Sequence, residues 1–241
     1  MVITSKSNNI VKHIKSLYDK KFRVKYNEYF LEGIKVIDEL LDYEGAVNVK
    51  FIAYSYDTLI SLKGGNDLIK KIDKLNIEKY LVDDNIINYL TDTTTTQGIV
   101  AVCNIKKNNN ILDTDKLLII DKVSDLGNLG SILRSCLAFD FKNIILINGC
   151  ADIYSPKLVR ASMSSIFKVN VGYYDYDIIN KIKSEFYILG TSLYTNNYLE
   201  DYKFLNKKYA IVIGNESNGI SDICKNMCDE LVKINIKNVE S

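Results

Sequence analysis

The 241-residue sequence predicts an α/β protein organised as two successive units. Three observations carry this reading. Short apolar, β-branched runs alternate with helical patterns from residue 117 onward, as in a parallel sheet covered on both faces. A separate, smaller α/β pattern leads the chain and ends near Asn104. Between the two, IKKNNNILDTDK at 105–116 is polar and rich in Asn and Lys, a linker signature although it holds neither Pro nor Gly. The expected domains are 1–104 and 117–241, with 105–116 as the linker.

The elements follow in order. Ile10, Ile14 and Leu17 recur at helical spacing and predict an amphipathic helix over 8–20. Ile34, Ile37, Leu40 and Leu41 predict a second helix. A strand is expected at 49–54, a helix at 67–75, a short strand at 79–82 and a helix at 84–90. The Thr-rich TDTTTTQG then leads into a strand at 99–102. In the second unit, a strand at 117–120 runs through a loop into a helix at 129–139. A strand at 144–147 precedes a helix near 156–167, where Pro156 suits a first helical turn. A short strand at 169–171 is followed by a helix at 177–183, with Asp177 as its N-cap. Strands at 186–189 and 209–213, a helix at 220–227 and a strand at 231–236 complete the pattern. Ligands on such sheets sit at the carboxyl ends of the strands.

Composition narrows the function. Hydrophobic residues make up 47% of the chain and charged residues 25%, and no apolar run approaches the ~18 residues of a membrane span. The N-terminus, MVITSKSNNIVKHIKSLYDKK, has no signal-peptide core, so a cytoplasmic protein without a membrane partner is expected. Cysteines at 103, 136, 150, 224 and 228 are odd in number and scattered, which is poor material for a disulfide framework. With His13 as the single histidine, no metal site is expected, and a Ser-His-Asp or Cys-His mechanism finds no partner near the candidate motifs. Net charge is +1, but its distribution is uneven. Lys6, Lys12, Lys15, Lys20, Lys21, Arg23 and Lys25 face only Asp19 and Glu28 within the first 30 residues. This basic, Tyr-containing segment suits a phosphate backbone, with Lys12, Lys20, Lys21 and Arg23 as candidate RNA contacts; a solvated helix face would carry the same charges.

Three segments could carry chemistry. DKVSDLGNLGSILR at 121–134 follows a strand and opens a helix. Gly127 and Gly130 allow a tight turn, Asn128 is the expected N-cap, and exposed N–H groups there suit an anion or a carbonyl. The spacing matches neither a dinucleotide fingerprint nor a P-loop. Arg134 interrupts the apolar face of Ile132, Leu133, Cys136 and Leu137; a snorkelling surface arginine would look the same. IVIGNESNG at 211–219 is again a strand running into a Gly-rich turn. There Glu216 can accept hydrogen bonds from a ligand or an arginine, or cap the next helix, and Gly214 lets a ligand approach the backbone. LVKINIKNVES at 231–241 is a strand followed by a polar turn.

Taken together, DKVSDLGNLGSILRSCLAFDF, IVIGNESNGIS and INIKNVES resemble the three signature motifs of the SpoU/TrmH family of RNA 2′-O-ribose methyltransferases, in the SPOUT superfamily. SNNIVKHIKSLYDKKFRVKYNEYFLEGIKVIDELL and TTTTQGIVAV resemble the substrate-binding domain of these enzymes, so the resemblance spans nearly the whole chain. It implies a parallel-sheet α/β domain with a deep trefoil knot, a rare exception to unknotted topology, and a smaller N-terminal L30e-like α/β domain. It also implies a homodimer, S-adenosyl-L-methionine as cofactor, and methyl transfer to a ribose 2′-hydroxyl, with 23S ribosomal RNA the expected substrate. Asn128, Arg134, Glu216 and Ser241 match the family's catalytic positions. Thr191, Leu193, Gly214, Asn215, Ile234 and Ile236 match its cofactor contacts. Two roles stay open for Arg134: base for the ribose hydroxyl, or a group that positions a phosphate and polarises that hydroxyl. The family continues past the serine of its third motif with Leu-Asn and a further helix, so a C-terminal truncation is expected here. A catalytically inactive RNA-binding protein and an unrelated nucleotide-binding α/β protein remain the alternatives.

Overall fold

The structure is a computed structural model and describes residues 1–44, 47–106, 110–147, 149–202 and 207–235. In chain order the elements begin α1 (Asn9–Ser16), α2 (Lys20–Tyr26), β1 (Glu28–Glu32), α3 (Ile34–Asp42), β2 (Val49–Tyr54) and α4 (Tyr56–Ile60). They continue with α5 (Gly65–Lys74), β3 (Glu78–Leu81), α6 (Asp84–Leu90) and β4 (Ile99–Asn104). Next come β5 (Lys116–Asp121), α7 (Leu126–Ala138), β6 (Asn143–Ile147), α8 (Pro156–Ser162), α9 (Ser165–Lys168) and β7 (Asn170–Tyr174). The chain then forms α10 (Asp177–Lys183), β8 (Tyr187–Thr191), a 3₁₀ turn at Leu199–Asp201, β9 (Tyr209–Ile213), α11 (Asp222–Met227) and β10 (Glu230–Val232). Among the described residues no helix is long and apolar enough to cross a membrane.

The chain divides into two compact units. One comprises Met1–Lys107 with Asp152–Phe167, the other Asn108–Ala151 with Lys168–Ser241. In the first, the described strands form a sheet in the order β1-β4-β2-β3. Strand β4 is antiparallel to β1 and β2, and β3 is parallel to β2. Helix α1 starts where the Asn8 side chain accepts the Ile10 N–H, and its stripe of Val11 and Ile14 continues to Leu17, all fully buried. These residues join Ile86, Ile87 and Leu90 of α6 and Phe30, Phe51 and Val100 of the sheet in one core. At the other end of this unit, Gln97 of the TTTTQG stretch accepts the Ile34 N–H at the start of α3 (2.7 Å).

Local patterns explain where the elements differ from expectation. The helix predicted over 8–20 ends at Ser16, and a second helix begins at Lys20, where Asp19 accepts the Lys21 N–H and starts α2. Asn27 ends α2 in the left-handed region, φ 56°, and β1 follows at once. That abrupt change of period hid both α2 and β1 from the sequence pattern. The helix predicted near 156–167 breaks at Met163, φ 52°. Two expected caps are corrected. Helix α7 opens at Leu126, and its N-cap is Asp125, whose carboxylate accepts the Asn128 N–H at 2.7 Å; Asn128 lies inside the first turn. Asp177 is the first residue of α10 rather than its cap.

In the second unit the described strands form a wholly parallel sheet in the order β10-β8-β9-β5-β6-β7. Every residue of β6 is buried, as the continuous run Asn-Ile-Ile-Leu-Ile requires of a strand covered on both faces. From β5 the chain winds outward through β6 and β7. It then crosses to β8 on the other side and returns as β9, which inserts between β8 and β5. The winding direction therefore reverses at the β5/β9 pair. The strand predicted over 231–236 pairs with β8 over Glu230–Val232; Ile236 lies outside the described residues.

Candidate functional site

A parallel sheet offers its ligand crevice at the carboxyl ends of the strands where the winding reverses. Here that point lies above β5 and β9, and both Gly-rich segments singled out in the sequence emerge there. Asp121, the last residue of β5, is fully buried. Its carboxylate accepts the Ser221 backbone N–H at 2.6 Å and the Tyr176 hydroxyl at 3.2 Å. A buried carboxylate is tolerated only with such partners, and this one ties the loop after β9 to the end of β5. Sequence reasoning passed over Asp121, Tyr176 and Ser221. The signal was a lone acid ending an otherwise apolar strand.

The loop after β9 is held by its own backbone. Asn215 N–H donates to Gly219 O (3.1 Å), Gly219 N–H donates to Asn215 O (2.8 Å), and the Asn215 side chain accepts the Ser217 N–H (2.9 Å). Gly214 sits at its root, where a β-carbon would lie 2.2 Å from the Gly219 carbonyl. No side chain fits there without moving backbone, so the glycine is required by close approach rather than by dihedral freedom. Lys122, Asn215, Asn218, Gly219 and Ser221 line a cleft of about 330 Å³ beside this loop.

Across the β5/β9 pair the Asn128 side-chain amide donates to Glu216 Oε1 at 2.5 Å. That donation holds the exposed Glu216 carboxyl below its ordinary range, so the group is an anion at neutral pH. The sequence's arginines are Arg23, Arg134 and Arg160. Arg23 is buried, and Arg160 pairs with Glu32 at 3.2 Å. Arg134 is exposed on α7 and makes no hydrogen bond or ion pair among the described residues. It lies two turns beyond Asn128, leaving a planar, permanently charged donor free for a ligand.

The expected cofactor residues fall on adjacent strand ends. Thr191 closes β8 and donates from its hydroxyl to Val212 O at 3.0 Å. Gly214 and Asn215 follow β9, and Ile234 lies two residues beyond β10. Leu193, Tyr194 and Ile234 are exposed apolar side chains at this end of the sheet. Together with the backbone-rich loop they suit a ligand that is part apolar and part polar, recognised without a cluster of charges. Ser241 and Ile236 lie outside the described residues.

Of the expected RNA contacts, Lys12, Lys20 and Lys21 are exposed, but Arg23 is not. Arg23 is 5% exposed. Its guanidinium donates to the carbonyls of Leu17 (2.6 Å) and Tyr18 (2.8 Å) and to the Asp152 carboxylate (2.6 Å). Arg23 is thus an internal clamp, and the expectation of a phosphate contact is corrected. Thiol chemistry has no support either. Burial pushes the Cys136 and Cys224 thiols up to about 12 and Cys228 up to about 11, leaving them protonated at neutral pH.

The family model described as the SpoU rRNA Methylase family matches residues 115–241, and the MRM3-like substrate binding domain matches residues 8–101. The chain is 30% identical over 220 residues to the 23S rRNA (guanosine(2553)-2′-O)-methyltransferase RlmP of Bacillus subtilis, covering 90% of this chain and 84% of that one. It is 30% identical over 162 residues to the mitochondrial rRNA methyltransferase 3 of Homo sapiens, covering 63% of this chain and 36% of that protein, little more than a third of its length. The solved AdoMet-bound rRNA methyltransferase of Sinorhizobium meliloti has a TM-score of 0.85 at 22% identity, covering 100% of this chain and 91% of that one. The SpoU methyltransferase AviRb of Streptomyces viridochromogenes, in complex with AdoMet, has a TM-score of 0.83 at 21% identity over 97% and 91% of the two chains. These two structures share the fold. With one family model spanning more than half of the chain and a relative matched along most of its length, the chain belongs to the SpoU rRNA methylase family.

Proposed function

We infer that this protein is an S-adenosyl-L-methionine-dependent methyltransferase that modifies a ribose 2′-hydroxyl of ribosomal RNA, 23S RNA by likeness to the Bacillus subtilis relative. The observation that carries this reading is the Asn128–Glu216 contact at the β5/β9 carboxyl ends, with the unpaired Arg134 on the same helix. The cofactor, when bound, supplies an electrophilic methyl group on a sulfonium. Thr191, Leu193, Gly214, Asn215 and Ile234 are the residues that would hold it, Ile236 joining them from the third motif. A deep trefoil knot in the second unit, a homodimer and a cytoplasmic setting complete the proposal.

The chain's own groups divide the remaining work. Glu216 holds the Asn128 amide in one orientation, so that its oxygen faces away from the carboxylate and can accept from a hydroxyl. Arg134 is a poor proton acceptor because a guanidinium carries donors only and keeps its charge in proteins. Its guanidinium instead fixes the phosphate beside the target ribose and donates toward the hydroxyl oxygen, which stabilises developing negative charge while the hydroxyl proton leaves to solvent water. Ser241 is assigned to the same site by its motif. The segment 1–104 supplies RNA affinity, with Lys12, Lys20 and Lys21 at phosphates. The test is transfer of radiolabelled methyl from S-adenosyl-L-methionine to ribosomal RNA, followed by mapping of the modified ribose. Transfer to a 2′-oxygen is expected. Cofactor binding without transfer to any cellular RNA would overturn the reading.

A further inference from the structure

The lysines of α2 are accompanied by rings. Phe22 and Tyr26, one helical turn apart, have near-parallel rings, 18° between planes and 6.0 Å between centroids. The His13 ring packs 4.8 Å from Tyr26. The Lys25 ammonium stands 5.3 Å from the Tyr26 centroid, and that of Lys21 stands 6.0 Å from the Phe22 centroid. Tyr26 is 36% exposed and the neighbouring Val24 69%, so the patch presents apolar surface to solvent beside the charge. Lys12, Lys20, Lys21 and Lys25 have no ion-pair partner among the described residues. Lys50 and Lys71 of the same unit, by contrast, are neutralised by Glu28 and by Asp38 and Asp42. The platform is rigid, since the Arg23 clamp on the buried side of α2 fixes the helix to two carbonyls and Asp152.

We propose that Phe22 and Tyr26 form a ledge on which an unpaired RNA base stacks, with Lys21 and Lys25 holding its flanking phosphates. The inference rests on the RNA-substrate reading above and goes beyond it by naming single-stranded RNA as what this surface takes. A double helix offers phosphates and 2′-hydroxyls but hides its base faces, so it would use the lysines and leave the rings idle. An acidic peptide would likewise match only the charge. Flat aromatic surface beside unpaired cations is the pattern of a stacking platform for single strands.

The test is fluorescence anisotropy with the full chain, using labelled twelve-nucleotide oligo(A) and oligo(U) and a twelve-base-pair RNA duplex. Tyr26→Ala and Phe22→Leu are expected to weaken single-strand binding about tenfold, within the range of one lost stacked base. Both should leave duplex binding within about twofold, as phosphate contacts are untouched. Tyr26→Phe should bind as the parent does. The loss should persist at 0.3 M salt, whereas a Lys21→Ala loss should shrink, because salt screens only the ionic contacts. Equal losses on both RNAs, no loss in either ring variant, or a parent chain that prefers the duplex would each overturn the ledge. Methyl transfer by the parent is scored separately. Transfer without single-strand preference sinks the ledge alone, and the stacking signature without transfer sinks the enzyme reading alone.

Discussion

At the scale of single residues, chemistry is decided by which polar groups the fold leaves unpaired. Arg134 is one such group, and its role is separable from cofactor binding. Arg134→Ala is expected to lower the methyl-transfer rate at least a hundredfold while changing the S-adenosyl-L-methionine dissociation constant less than threefold by isothermal titration. A matched loss of affinity and rate would remove Arg134 from the chemistry. Glu32 is the contrasting case, a carboxylate used for structure. Its side chain is 8% exposed, its Oε2 meets no hydrogen-bond partner within range among the described residues, and burial raises its pKa against the opposing pull of Arg160. The folded chain therefore keeps this proton to higher pH than the unfolded chain does. Stability falls as pH rises from the ordinary carboxylate range through the raised value. Glu32→Gln should flatten that slope in urea melts taken from pH 4 to 7. An unchanged slope would place the proton uptake elsewhere.

At the scale of elements, the loops at the carboxyl ends of β5 and β9 depend on contacts that local sequence only partly shows. The root of the loop after β9 has no room for a β-carbon at Gly214. Overpacking against backbone costs about 1–3 kcal/mol or more. Gly214→Ala is expected to lower the melting temperature by several degrees and to weaken cofactor binding more than tenfold; a variant that melts and binds as the parent does would refute the close approach. The helix caps were not read from the sequence: the two expected, Asn128 and Asp177, both lie inside their helices, while Asn8 and Asp83, which do bind the helix that follows, were passed over. Asn128 was misplaced because DLGN offers two capping candidates. Asp125 takes the role, since its carboxylate reaches a first-turn N–H while the Asn128 side chain is held by Glu216. Strand β1 was hidden for a different reason. Its residues Glu28–Leu31 are all buried, Glu28 by virtue of His13 and Lys50, and no alternation survives when a charged residue is buried by distant partners.

At the scale of the whole molecule, the path of the chain matters. Residues Asp152–Phe167 lie between β6 and β7 in sequence yet belong to the unit formed by Met1–Lys107. There Arg160 pairs with Glu32, Asp152 with Arg23, and the Tyr154 ring packs 4.9 Å from Tyr29. Leu158 and Val159 are buried in the same unit. A fragment spanning 105–241 would expose this apolar face, each large side chain worth about 1.5–3 kcal/mol of lost burial. Such a fragment is expected to bind a hydrophobic dye and to aggregate below the melting temperature of the full chain. A soluble, cooperatively melting fragment would show instead that the segment refolds on its own.

What the sequence by itself determined is whatever is local: the α/β class, the apolar strands, and the three motif segments with Asn128, Arg134, Glu216 and Gly214 in them. These depend on period, turn chemistry and residue type within a few positions. The tertiary structure alone decided which of them meet. Inserting β9 between β8 and β5 brings Glu216 onto Asn128, 88 residues away in the chain, and brings Ser221 onto the buried Asp121. The same nonlocal packing buried Arg23 and left Arg134 free. Two arginines in similar amphipathic surroundings took opposite roles, because burial and pairing are set by partners that only long-range closure of the chain delivers.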